Sequence, residues 1–182
     1  MIKASFPTPG RPTGPFWPIG LLIDGNIWAL PAHDTSKPYP LLNTRDRETD
    51  PQISPDGRFL AYVSDRSGRN EVYLQPFPGP GPRTSISTDG GMTPRWAPNG
   101  RELFYRRGHK MMVVTIEAAP DPRPSRPKLL FETPRSNEEE GYDVARDGRL
   151  LMVEEVPPEP MPDHLSLIVN WFEEIRRLAP TR

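Results

Sequence analysis

The 182-residue chain contains no cysteine, which excludes disulfide staples, thiolate nucleophiles and Cys-based metal centres. Long hydrophobic runs are also missing. The longest early one, Ile19-Gly20-Leu21-Leu22-Ile23, is far short of the roughly 20 apolar residues that span a bilayer, so no membrane segment is read. Prolines interrupt Met1-Ile2-Lys3-Ala4-Ser5-Phe6-Pro7 before an apolar targeting core can form. No excess of one charge exists: 23 Lys and Arg face 24 Asp and Glu, a formal net charge of −1. That balance gives no electrostatic case for a nucleic-acid partner. The three histidines, His33, His109 and His164, stand far apart, whereas zinc ligands cluster at short spacing. The sequence has no Gly-x-Ser-x-Gly nucleophile elbow, no glycine-rich phosphate loop, no His-Arg-Asp loop and no Asp-Phe-Gly. No residue set reads as catalytic, cofactor-binding or metal-ligating, and the chain is expected to be non-enzymatic.

What the chain has in abundance is proline, 26 residues, and many of these fall at turns between apolar runs. Ser54-Pro55-Asp56-Gly57 returns as Ala97-Pro98-Asn99-Gly100 and, weaker, as Ala145-Arg146-Asp147-Gly148. Each copy is followed by Arg and an apolar run: Arg58 to Val63, Arg101 to Tyr105 and Arg149 to Val153. A second landmark set keeps the same period. Thr44, Thr88 and Thr133 each close a run that follows a Val-, Tyr-, Trp- or Ile-rich segment. A spacing of about 45 residues is the length of one four-stranded propeller blade.

Each blade then reads as four strands. Strand a is short (Gln52-Ile53, Arg95-Trp96, Asp143-Val144), and strand b is the apolar run after the turn. Strand c is Asn26–Leu30, Glu71–Gln75 or Met111–Ile116, and strand d ends at the Thr landmark. Pro presets φ in the a–b turn, Asp or Asn bonds the backbone, and Gly accepts positive φ. Strand b is apolar on successive residues, as a strand covered on both faces must be. Leu60, Leu103 and Leu151 are expected to share one column.

The fold class is therefore all-β, a partial β-propeller of about three four-stranded blades plus part of another, with a short C-terminal helix. Residues 1–20 read as a loose Pro/Gly-rich leader, 21–170 as the incomplete propeller and 171–182 as helix and tail. His164–Val169 reads as a last strand c. Asn170 caps the helix that follows, and Trp171, Ile175 and Leu178 share one of its faces. A closed propeller typically takes four to eight blades. An open arc leaves apolar faces, so a protein partner or self-association is expected to complete it.

At Ser54-Pro55-Asp56-Gly57-Arg58-Phe59-Leu60-Ala61-Tyr62-Val63-Ser64 the chain resembles the TolB-like, WD-repeat-like propeller family. Asn70 to Gly81, Ser87 to Gly91, Pro94-Arg95-Trp96, Arg101 to Tyr105 and Val169 to Ile175 are similar to bacterial propellers fused behind serine/threonine kinase domains or DNA-binding regulators. The likeness runs over residues 24–178, and the leader departs from it. The resemblance implies a non-catalytic sensing or protein-binding module, extracytoplasmic in such relatives.

Several residues have two readings. Asp56, Asn99 and Asp147 could gather around a channel to hold Ca²⁺, but turn formation accounts for all three. Trp28, Tyr73 and Trp96 could stack on a ligand, yet blade-to-blade packing is the commoner use of aromatic residues on strands. Phe16 and Trp17 read as stray apolar residues, and Asn137-Glu138-Glu139-Glu140 as a solvated acidic loop. The leading function is a non-catalytic propeller module for protein or ligand binding. The alternatives are the propeller part of a prolyl-oligopeptidase-type or lactonase-type hydrolase, or a truncated gene product without activity of its own.

Overall fold

The computed structural model describes residues 16–21, 25–31, 38–79, 81–118, 122–133 and 141–153. The sequence-predicted helix after Asn170, the strand 164–169, the acidic loop 137–140, His33 and His164 lie outside them. The described part is all-β, and its antiparallel sheets follow one another along the chain as blades of a propeller.

The first blade contains β1 (Phe16–Leu21), β2 (Asn26–Pro31) and β3 (Tyr39–Leu42), in that order. β1 takes residues that the sequence reading left in the leader and pairs along its whole length with β2. The second blade is β4 (Glu48–Ile53), β5 (Phe59–Ser64), β6 (Glu71–Pro76) and β7 (Thr84–Ser85). The third is β8 (Met92–Trp96), β9 (Glu102–Arg107) and the long β10 (Lys110–Ala118). Its outer edge is shared: β12 (Lys128–Glu132) pairs with the first half of β10 and β11 (Pro122–Pro124) with the last residues. β13 (Tyr142–Val144) and β14 (Leu150–Met152) open the fourth.

The turn chemistry sits where the sequence places it. Gly57, Gly100 and Gly148 have φ of 72°, 67° and 85°, a region a Cβ makes costly. Asp56, Asn99 and Asp147 each accept the amide two residues on, at 3.1, 2.8 and 3.1 Å. These side chains close their own turns.

Strand alternation then builds three separate cores. Leu60 and Tyr62 of β5 join Tyr73, Ile27 and Leu42 between the first and second blades. Phe59, Ala61 and Val63 point the other way, meeting Trp96, Leu103, Tyr105, Met112 and Val114 between the second and third. Phe104 and Met111 meet Tyr142, Leu150 and Met152 between the third and fourth. β5 is buried at all six positions because each of its faces covers a different neighbour.

Leu151 does not share the column of Leu60 and Leu103. The first two hairpins pair Ile53 with Leu60 and Trp96 with Leu103, whereas the third pairs Val144 with Leu150. The closing bonds show why. Ser54 N reaches Phe59 O and Ala97 N reaches Glu102 O, but Ala145 N reaches Arg149 O, one residue sooner. A shift of one residue reverses every side chain of a strand. Leu150 and Met152 therefore face the third blade, and Leu151 is 70% exposed on the far side.

Candidate functional site at the inner strands

In each blade the strand before the a–b turn lies at one edge of its sheet, and the starts of β4, β8 and β13 come together there. The sequence reading keeps only Gln52-Ile53 and Arg95-Trp96 in these strands, whereas β4 and β8 begin before Pro51 and Pro94. The structure absorbs both prolines in irregularities, with register shifts between Thr49 and Gln52 in β4 and between Met92 and Arg95 in β8. At each bulge a non-glycine residue has positive φ: Asp50 at 51° and Thr93 at 48°. Such conformations cost of order 1–3 kcal/mol and persist only where the surroundings hold them.

Here the surroundings are cross-blade bonds. The Thr93 backbone amide lies close enough to act on the Asp50 carboxyl, opposing the effect of its burial. The Tyr142 hydroxyl donates to Thr93 O at 2.7 Å, and Trp96 Nε1 donates to Gln52 O at 3.3 Å. Arg95 Nη1 donates to Pro94 O at 2.8 Å while its Cζ lies 5.9 Å from the centroid of the Tyr142 ring. Arg106 adds a second guanidinium close enough to act on Tyr142, at only 2% exposure.

Burial dominates the electrostatics. It raises the Asp50 carboxyl above its ordinary value, against the opposing charges of Arg95 and Arg47. Burial likewise raises the Tyr142 hydroxyl, again against Arg95 and Arg106. Glu48, 2% exposed at the start of β4, is raised by burial too, although the Thr44 hydroxyl donates to it. Its Oε2 and the Thr93 hydroxyl have no hydrogen-bond partner among the described residues. The cluster holds charge and donors in fixed positions. Among the described residues no three His, Cys, Asp or Glu are placed to hold a metal ion, and no helix is long and apolar enough to cross a membrane.

Among the described candidates from sequence, Trp96 borders this cluster and the others lie elsewhere. Tyr73 stacks on Tyr62 at 6.0 Å between centroids, Trp96 belongs to the core between second and third blades, and Trp28 is half-buried on β2. His109 is exposed in the β9–β10 turn, 3.7 Å from Glu132. Sequence reasoning missed Asp50, Thr93, Arg106 and Tyr142, and took Arg95 only as a strand residue. The signal was present: Asp50-Pro51 and Thr93-Pro94 stand six places before the Asp or Asn of the turn in consecutive repeats.

No protein-family model matches the chain. Over 81 residues it is 35% identical to a Bacillus subtilis protein named as the uncharacterised peptidase YuxL, covering 43% of this chain and 12% of that protein. Among solved structures it is similar to a TolB structure from Agrobacterium tumefaciens, with a TM-score of 0.52 and 17% identity over 70% of this chain and 48% of that one. A puromycin-hydrolysing peptidase of Mycobacterium tuberculosis gives a TM-score of 0.48 and 19% identity, over 67% of this chain and 24% of that one. The chain thus spans about an eighth of the curated relative and under half of these solved chains. The Agrobacterium likeness is one of fold, and the fold is that of a β-propeller. The expectation of a non-enzymatic protein is corrected by the YuxL match, which ties the chain's sequence to a protein named as a peptidase.

Proposed function

We propose that the chain is the propeller part of a peptidase-type hydrolase, with the inner-strand cluster as its contact to substrate. The observation that carries this reading is the 35% identity to the Bacillus peptidase. The sequence supports a division of labour, since it has no Gly-x-Ser-x-Gly elbow and the inner cluster positions donors without a nucleophile and base in reach of each other. In this reading the bond-breaking residues lie outside these 182 residues, and the propeller selects and orients the peptide.

The test is peptide-anilide hydrolysis by the product of the complete reading frame, beside the 182-residue chain alone. Hydrolysis by the former and none by the latter is expected. A reading frame that carries a kinase or DNA-binding region and hydrolyses no peptide would overturn the proposal.

A further inference from the structure

We infer that the inner rim formed by Thr93, Arg95 and Tyr142 binds the C-terminal carboxylate of a peptide, with the Arg95 guanidinium as the anchor. The inference rests on the peptidase reading above and adds to it which part of the substrate the propeller holds.

Arg95 is fixed on two sides. Nη1 is tied to Pro94 O at 2.8 Å, and the guanidinium lies over the Tyr142 ring at 5.9 Å. The ring is itself held by its hydroxyl bond to Thr93 O. The remaining Arg95 N–H groups have no acceptor among the described residues, although the side chain is only half-buried and can be reached. A planar fork held in place with open N–H groups matches a carboxylate in bidentate geometry, and little ordering cost is left for binding. Charges of both signs surround it. Asp50 is the acid that acts on Arg95 across the β4–β8 gap, and burial favours its neutral form. Arg106 adds positive charge on the Tyr142 side and Asp143 negative charge. The left-handed backbone at Asp50 and Thr93 sits beneath this rim in both strands, as strained residues do at ligand clamps.

The experiment is calorimetric binding of three peptides to the full chain: N-acetyl-trialanine as free acid, the same peptide as amide, and N-acetyl-Ala-Asp-Ala-amide. The free acid is expected to bind ~10-fold or more tightly than the amide, the scale of a hydrogen-bonded charge pair. Arg95→Gln should remove that preference, and Arg95→Lys should retain part of it. Equal affinity of acid and amide, or binding of no peptide, overturns the inference. Binding of the Asp peptide as tightly as the free acid assigns the rim to acidic side chains and overturns the C-terminal assignment. The acid-to-amide comparison on the unaltered chain needs no variant to fold. Its failure leaves the peptidase reading standing if the anilide assay succeeds, and the reverse result separates the two in the other direction.

Discussion

Glu48 and Asp50 stand two residues apart on β4, and burial raises both carboxyls above their ordinary values. The consequence for stability has a definite sign. A folded-state pKa above the unfolded one means that the folded chain keeps its protons longer as pH rises. The stability these groups contribute is complete below about pH 4, the unfolded carboxyl range, and is lost as pH climbs through the raised folded values. Thermal unfolding followed from pH 4 to 8 should show Tm falling more steeply in the unaltered chain than in Glu48→Gln/Asp50→Asn. Equal slopes would show that these carboxyls do not carry the linkage. A second residue-scale expectation concerns Gly57, at φ 72° with open space around the place of a Cβ. Gly57→Ala meets no neighbour, so its cost is backbone strain alone, about 1 kcal/mol in denaturant unfolding. Gly57→Asn should cost less, because Asn tolerates the left-handed region.

At the scale of elements, turn length decides which side chains are buried. The a–b turns of the second and third blades close over four residues and that of the fourth over three, which reverses β14 relative to β5 and β9. Leu60→Ala or Leu103→Ala should therefore cost about 2–5 kcal/mol, while Leu151→Ala should be nearly neutral. Leu150→Ala, which lies in the core, should cost more than Leu151→Ala. Comparable losses at Leu150 and Leu151 in denaturant unfolding would contradict the register. The repeat made the middle strands legible in sequence, because Pro-Asp-Gly and the Thr landmarks each carry a local physical cause. The parity of β14 was not legible. Ala145-Arg146-Asp147-Gly148-Arg149 differs from the other copies by one missing Pro, and nothing in composition says that its loop is a residue shorter. The inner site was hidden for a related reason. The sequence reading starts these strands after Pro51 and Pro94, yet positive φ at the residue before each proline lets the strand bulge and run through it. Arg106 is buried and acts on Tyr142, 36 residues on, a long-range pairing no local pattern shows.

For the whole molecule, stacking of sheets supplies stability and side-chain bonds fix the stack. Glu71 is the clearest fastening. Buried at the start of β6, it accepts Arg69 Nε at 2.9 Å, Gly90 N at 2.9 Å and the Ser87 hydroxyl, joining the second blade to the connection that leads into the third. Glu71→Ala leaves the buried Ser87 hydroxyl without its acceptor and should cost about 1–3 kcal/mol, read in chemical unfolding. Beyond it, Leu151 and Val153 are apolar residues left 70% and 60% exposed among the described residues. The account stands on β5, β6, β9 and β10 lying sandwiched between flanking blades, and residue-resolved amide exchange reads that directly. Exchange should be slowest in those four strands and at least 100-fold faster in β12 and β14, the ~3 kcal/mol that separates core from edge opening. Equally fast exchange in β5 and β14 would contradict it.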